Sequence, residues 1–187
     1  SSDLRDPAVV VHHQVVQGGP AVRDAGPVEG GELLEGTDAC FAPVLSAAEV
    51  VGLARAVLDQ CVDYAKVRVQ GGRPIGGHQA IQHRLADMLG GIERARYLTY
   101  LAAVSLADAA PAFDPGRVPP EVHQAKALAA RDGLAAIRSG HQVLGAISYS
   151  AEHDLHHRHK QAVVAAHELG GPAWHWAALE RAAHPAA

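Results

Sequence analysis

Tyr64-Ala65-Lys66-Val67-Arg68-Val69-Gln70-Gly71-Gly72-Arg73-Pro74-Ile75-Gly76-Gly77-His78-Gln79-Ala80-Ile81-Gln82 decides the architecture. One helical run enters this stretch, a glycine-rich turn breaks it, and a second helical run leaves. Upstream, Val50, Ala54, Val57, Cys61 and Ala65 recur at helical spacing, and Leu53, Leu58 and Val62 widen the apolar stripe. Ser46 with Glu49 three residues later reads as a capping box, which predicts a first helix from Ser46. That helix is expected to stop at Gly71–Gly72, and Pro74 bars its continuation. Downstream, Ile81, Leu85, Met88, Ile92 and Ala95 predict a second helix from about His78 to about Ala110.

The pattern extends in both directions. Pro111 to Pro120 reads as a linker, and Pro119-Pro120 suits the start of a third helix from Glu121 to about Ile147. Ser150 can cap a fourth helix to Leu169, which Gly170-Gly171-Pro172 ends, and a short fifth runs from about Ala173 to Ala183. Long amphipathic helices with short links predict a mainly α fold, an antiparallel four-helix bundle over residues 46–187. Residues 1–45 differ. Val9-Val10-Val11 and Val15-Val16 read as short strands punctuated by Gly18-Gly19-Pro20, Gly26-Pro27 and Gly30-Gly31. A few strands without a helix bury too little to stand alone, so this β-rich segment is expected to lean on something else.

Composition narrows the functional classes. The 187 residues carry a net charge of -4 and only 4% aromatics, so neither a basic surface nor base-stacking platforms for nucleic acid are expected. Cys40 and Cys61 make neither a disulfide framework nor a metal pattern, which suggests a reducing, cytoplasmic compartment. No signal peptide is read at Ser1–Arg5, and charges interrupt the apolar runs, so no membrane span is expected.

Candidate chemistry concentrates at the central corner. Arg68, Arg73, His78, Gln79, Gln82, His83 and Arg84 flank a Gly-Gly-Arg-Pro-Ile-Gly-Gly turn. Glycines allow close backbone approach and arginine grips phosphate bidentately, so a phosphate-bearing ligand suits this corner. The same residues could also make a solvated polar corner with ordinary C-cap glycines. Glu152-His153-Asp154-Leu155-His156-His157-Arg158-His159 has metal-ligand character, with His153 and His157 four apart on one helix face. No Glu–His pair recurs on the other helices, which favours a solvated or subunit-contacting histidine face over a metal site. Asp63, Asp87 and Asp132 are expected to be exposed or ion-paired, and Trp174 and Trp176 to pack against the bundle. No serine or cysteine has a nucleophile's neighbourhood.

Two blocks carry a family resemblance. Leu53–Asp59, Tyr64–Gln70, Gly72-Arg73-Pro74-Ile75-Gly76 and Gln79–Met88 form the first; Gln142-Val143-Leu144-Gly145-Ala146-Ile147-Ser148-Tyr149-Ser150-Ala151-Glu152 forms the second. Together they resemble the acyl-CoA dehydrogenase family over roughly residues 45–180. The second block is similar to that family's Gln-x-x-Gly-Gly-x-Gly-(Phe/Tyr)-x-x-Glu segment. The resemblance implies a C-terminal helical bundle preceded by the tail of a middle β-domain. It implies FAD as cofactor, held across a subunit interface. Arg68, Gln70, His78, Gln79, Gln142 and Ala146 occupy the positions that grip the adenine-diphosphate part of a neighbour's flavin, with Arg68 on the pyrophosphate.

Departures from the family pattern matter as much. Gly71 stands where the family has an aromatic, and Ala146 replaces the second glycine of a pair. The family abstracts an α-proton of an acyl-CoA thioester with a glutamate while hydride leaves for the flavin. The two positions known for that glutamate hold Leu169 and Ala42, with Glu168 one residue off. No catalytic residue is therefore assigned to this chain. The resemblance implies a non-catalytic subunit of a heteromeric FAD-dependent acyl-CoA dehydrogenase, whose fuller partner subunit supplies base, acyl-CoA pocket and flavin-ring contacts. A fragment of a full-length enzyme and a flavin-free helical scaffold are the alternatives.

Overall fold

The computed structural model describes residues 37–109, 118–150 and 153–184, with side chains from residue 41 onward. The strands expected near Val9–Val16 lie outside these residues. Helix α1 spans Thr37–Val67. A two-residue antiparallel ribbon follows, β1 (Val69–Gln70) and β2 (Arg73–Pro74), then a 3-10 turn over Ile75–Gly77. Helix α2 spans Gln79–Ala109. One long rod comprises α3 (Pro120–Leu128), a π-helical turn (Ala129–Gly133) and α4 (Leu134–Leu144). A 3-10 turn (Gly145–Tyr149), α5 (Leu155–His167) and α6 (Pro172–Ala183) complete the mainly α architecture.

Helix α1 is the centre of the bundle. Val50, Ala54, Val57, Cys61 and Ala65 are buried, as are Ala47, Val51 and Leu58 beside them. The stripe is broad because α2, α3, α4 and α5 all pack on this one helix. That setting also accounts for its composition. Phe41–Val67 is long and apolar enough to cross a membrane by length and mean hydropathy (1.6), contrary to the sequence expectation. Its charged side chains are exposed, with Arg55 reaching Glu93 of α2 and Glu49 accepting from Gln161 of α5 at the rim, and the buried stripe between them is bundle core.

The beginning of α1 differs from the expected capping box. The helix starts at Thr37, so residues 37–45 are helical and Ser46 lies more than two turns inside. Its buried hydroxyl donates to the Ala165 carbonyl of α5 at 2.6 Å instead of capping an amide. Lys126, 1% exposed, donates to the same serine oxygen at 2.6 Å and to the same carbonyl. This polar knot ties α1, α3 and α5 together. Burial pushes the Lys126 ammonium down to about 8, with the Glu168 and Glu49 carboxylates holding it up in part.

The end of α1 differs too. It stops at Val67, not at Gly71–Gly72. Gly71 (φ 62°) and Gly72 (φ 80°) form the two-residue loop of the ribbon, with positive φ at both central positions. The turn then folds back on α1: a Cβ at Gly76 would sit 3.0 Å from the Ala65 carbonyl oxygen, so glycine permits that approach. The fourth helix begins at Leu155 rather than near Ser150, after the 3-10 turn, and the long third helix is interrupted by its π-turn. Asp132 in that turn is buried, and it accepts from Arg94 and Arg131 at 2.8 Å each. Asp63 is exposed and pairs with Lys66 at 2.9 Å. On α6, His175 is buried beside His123 of α3 (Nδ1–Nδ1 2.9 Å), while Trp174 and Trp176 keep 46% and 38% of their surface exposed, so they pack less closely than expected.

Candidate functional site

The corner between α1 and α2 and the end of α4 meet around a cavity of about 420 Å³. Tyr64, Arg68, Gln70 and Ile75 line one side; Val143, Leu144 and the Gly145–Ile147 turn line the other. Three of the sequence candidates, Arg68, Gln70 and Ala146, therefore converge. Arg68 follows the last residue of α1. Its amide donates to Tyr64 (2.9 Å) and its carbonyl accepts from Ile75 (2.8 Å), so the backbone beneath the guanidinium is fixed at both ends. The side chain is exposed, and among the described residues no carboxylate lies within ion-pair distance of it.

His78 supports the corner without lining the cavity. Arg73 Nη2 donates to its Nδ1 at 3.2 Å, which leaves Nε2 as the N–H that donates to the Gln70 carbonyl at 3.3 Å. Gln82 Nε2 donates to the Gly76 carbonyl at 2.9 Å. These bonds brace the ribbon against the start of α2. Gln79 is the exposed first residue of α2 and lies outside the cavity lining. Gln142 faces a different cavity, between α4 and α5.

The far wall depends on Gly145, which ends α4 with φ 64° and ψ -141°. Side-chain-bearing residues avoid this backbone region. No atom lies within 4 Å of a Cβ built there, so the requirement is conformational and not spatial. Gly145→Ala is expected to cost about 1–3 kcal/mol of stability and to displace the 3-10 turn. A thermal melt and amide exchange over 145–149 check this; an unchanged melt with native exchange contradicts it. Ala146 next to it is exposed and lines the cavity.

The two positions associated with a catalytic glutamate sit at the other end of the bundle. Ala42 lies one turn before Ser46 on α1; Leu169 lies two residues past the end of α5, four residues after Ala165. The Ser46–Ala165 hydrogen bond thus joins the two helices four residues along the chain from each position. Leu169 (φ 57°) and Gly170 (φ 99°) form the left-handed turn into α6, and neither Ala42 nor Leu169 can accept a proton. Glu168 is exposed; Glu152 lies outside the described residues. His153 precedes α5, where its Nδ1 accepts from the Leu155 amide at 3.2 Å, so it does not share a helix face with the exposed His157. Among the described residues no three His, Cys, Asp or Glu side chains are grouped to hold a metal.

Comparison with known proteins places this geometry. Residues 43–183 match the model described as acyl-CoA dehydrogenase, C-terminal domain. The acyl-CoA dehydrogenase IpdE2 of Mycobacterium tuberculosis is 41% identical over 133 residues, covering 70% of this chain and 38% of that protein. The acyl-CoA dehydrogenase FadE34 of the same organism is 40% identical over 135 residues, covering 70% of this chain and 17% of that protein. Butyryl-CoA dehydrogenase from Megasphaera elsdenii superimposes with a TM-score of 0.71 at 27% identity, covering 78% of this chain and 37% of that one. A chain of the ChsE4–ChsE5 complex from Mycobacterium tuberculosis gives 0.70 at 25% identity, covering 80% and 39%. The chain spans less than two fifths of the length of these relatives. It belongs to the acyl-CoA dehydrogenase family, and the part of the family it spans is the C-terminal helical domain.

Proposed function

We propose that this chain is a non-catalytic subunit of an FAD-dependent acyl-CoA dehydrogenase, in which its Arg68 corner holds the adenine-diphosphate end of a partner subunit's flavin. The convergence of Arg68, Gln70 and the Gly145–Ala146 turn on one cavity carries the reading. A cavity of 420 Å³ suits the diphosphate end and not a whole dinucleotide. The residues fit that group: an arginine without a carboxylate partner among the described residues, held on a braced backbone, is the donor set a pyrophosphate takes. Bound flavin supplies a hydride acceptor; this chain supplies orientation and charge at its far end. With Ala42 and Leu169 at the base positions, proton abstraction falls to the partner, as does the acyl-CoA pocket.

A flavin-free scaffold is the competing reading, and alanine at position 146 of the cavity lining is what favours it. Co-expression with the neighbouring reading frames separates the two. The expected product is a yellow heteromer from which Arg68→Ala loses FAD about 10- to 100-fold more readily, since a hydrogen bond to a charged group contributes about 1.5–3 kcal/mol. A colourless complex, or one whose flavin affinity ignores Arg68→Ala, overturns the proposal.

A further inference from the structure

The second cavity, about 750 Å³ between α4 and α5, has a different chemical character from the Arg68 corner. Its titratable lining is Arg138, His141, His156, His159 and Lys160, without a carboxylate. Among the described residues no acid lies within ion-pair distance of Arg138 or Lys160. The back wall is a fixed aromatic assembly. Buried His141 pairs through Nδ1 with Ser148 Oγ (3.1 Å) and through Nε2 with His159 Nδ1 (3.1 Å), and the Tyr149 ring stacks on it at 5.2 Å and 28°. Burial first, then positive neighbours, lowers the basicity of both His141 and His159, and the two cations stand at the edge of this wall. Gln142, Val163 and Val164 complete the lining, the two valines 39% and 65% exposed.

Planar rings, uncovered aliphatic surface and unneutralised cations around a cavity of ligand size form a consistent donor set. We propose that this cavity binds an organic anion, with a phosphate or carboxylate between Arg138 and Lys160 and an apolar ring or chain on Tyr149, Val163 and Val164. Of the flavin candidates only Gln142 lines this cavity; the anion grip rests on Arg138 and Lys160, whereas Arg68 and Gln70 line the other cavity.

Phenyl phosphate and benzoate are the probes, with inorganic phosphate as the charge-only control. Binding to the 187-residue chain is followed through the histidine ring resonances. Saturable shifts of His141, His156 and His159 are expected with one or both aromatic anions at millimolar concentration, the better probe identifying the anionic group. Inorganic phosphate is expected to bind at least about tenfold more weakly, as loss of the apolar contact implies. Arg138→Ala and Lys160→Ala together are expected to abolish the shifts while leaving the melting temperature unchanged, because both side chains are exposed. Arg68→Ala is expected to leave them intact. Absence of saturable shifts with either aromatic anion, shifts that persist in the double variant, or equal binding of inorganic phosphate overturns the proposal.

Discussion

Gly140→Val is expected to lower stability by about 3 kcal/mol, the upper part of the range for overpacked cores. For a chain of this size that is a fall in melting temperature of roughly 6–12 °C. The reason lies in a matched seam between α1 and α4. A Cβ at Gly140 would collide with Val57 Cγ1 and stand 3.4 Å from Cys61 Sγ. Seven residues earlier, a Cβ at Gly133 would stand 2.5 Å from Val50 Cγ1. Val50 and Val57 are also seven apart, and both are fully buried. Two valines on α1 therefore fill two gaps on the rod, and the helices approach as closely as they do because the rod has no side chains there. A β-branched valine has one preferred rotamer in a helix and cannot swing aside. Gly140→Ala should cost less, since alanine regains about 1 kcal/mol of helix propensity. Pairing Gly140→Ala with Val57→Ala should recover most of the remainder. Denaturant midpoints measure all three variants. Gly140→Val melting with the parent chain would show that the seam is looser than described.

The same seam shows what the sequence could disclose. Helix α2 is legible almost to the residue because its apolar periodicity is regular and its start follows a turn that glycines announce. The seam's glycines gave no such signal: a glycine inside a helical pattern reads as weak propensity until the facing valine is known. Ser46 misled for a related reason. A serine three residues before a glutamate is a cap signature, yet on a helix that continues upstream the same hydroxyl can satisfy a carbonyl of another helix. Gly71-Gly72 could have been read as a hairpin loop, since two glycines between two short extended pairs suit a turn with positive φ at both centres. Three of six flavin candidates converge on one cavity because Arg68 and Gln70 lie two residues apart just after α1 and Ala146 lies on the one turn that meets them. Gln142 points elsewhere, which only the rotation of α4 decides. The histidine cavity was not legible, because its members come from α4, the following turn and α5, and only packing assembles them.

The buried Lys126 makes the second large effect, and its direction with pH is specific. An unfolded lysine ionises near pH 10.4, whereas Lys126 in the folded chain does so at about 8. Below pH 8 both states hold the proton, and the full cost of burying the charge is present. Between about pH 8 and 10 the unfolded chain binds more protons, so stability rises with pH, by at most about 1.4 kcal/mol per unit. Cys61 opposes this. Burial pushes its thiol up to about 12, so above about pH 9 the unfolded chain loses a proton that the folded chain keeps, and stability falls. The rise from Lys126 is therefore cleanest between about pH 8 and 9 and flattens above it. Lys126→Met keeps the volume and removes the charge, and Ser46 retains its bond to the Ala165 carbonyl. This variant is expected to be as stable as the parent at pH 7 or more stable, in line with buried charges replaced by apolar residues of similar size. Its excess should shrink toward pH 9. Lys126→Ala, which leaves a void, is expected to cost about 2 kcal/mol or more at the same pH. Urea titrations of the three proteins at pH 7, 8 and 9 decide the matter. A parent chain that gains no stability from pH 8 to 9 relative to Lys126→Met would mean that the folded state holds the ammonium's proton through this range, and that the knot with Ser46 and Ala165 acts as a charged clamp.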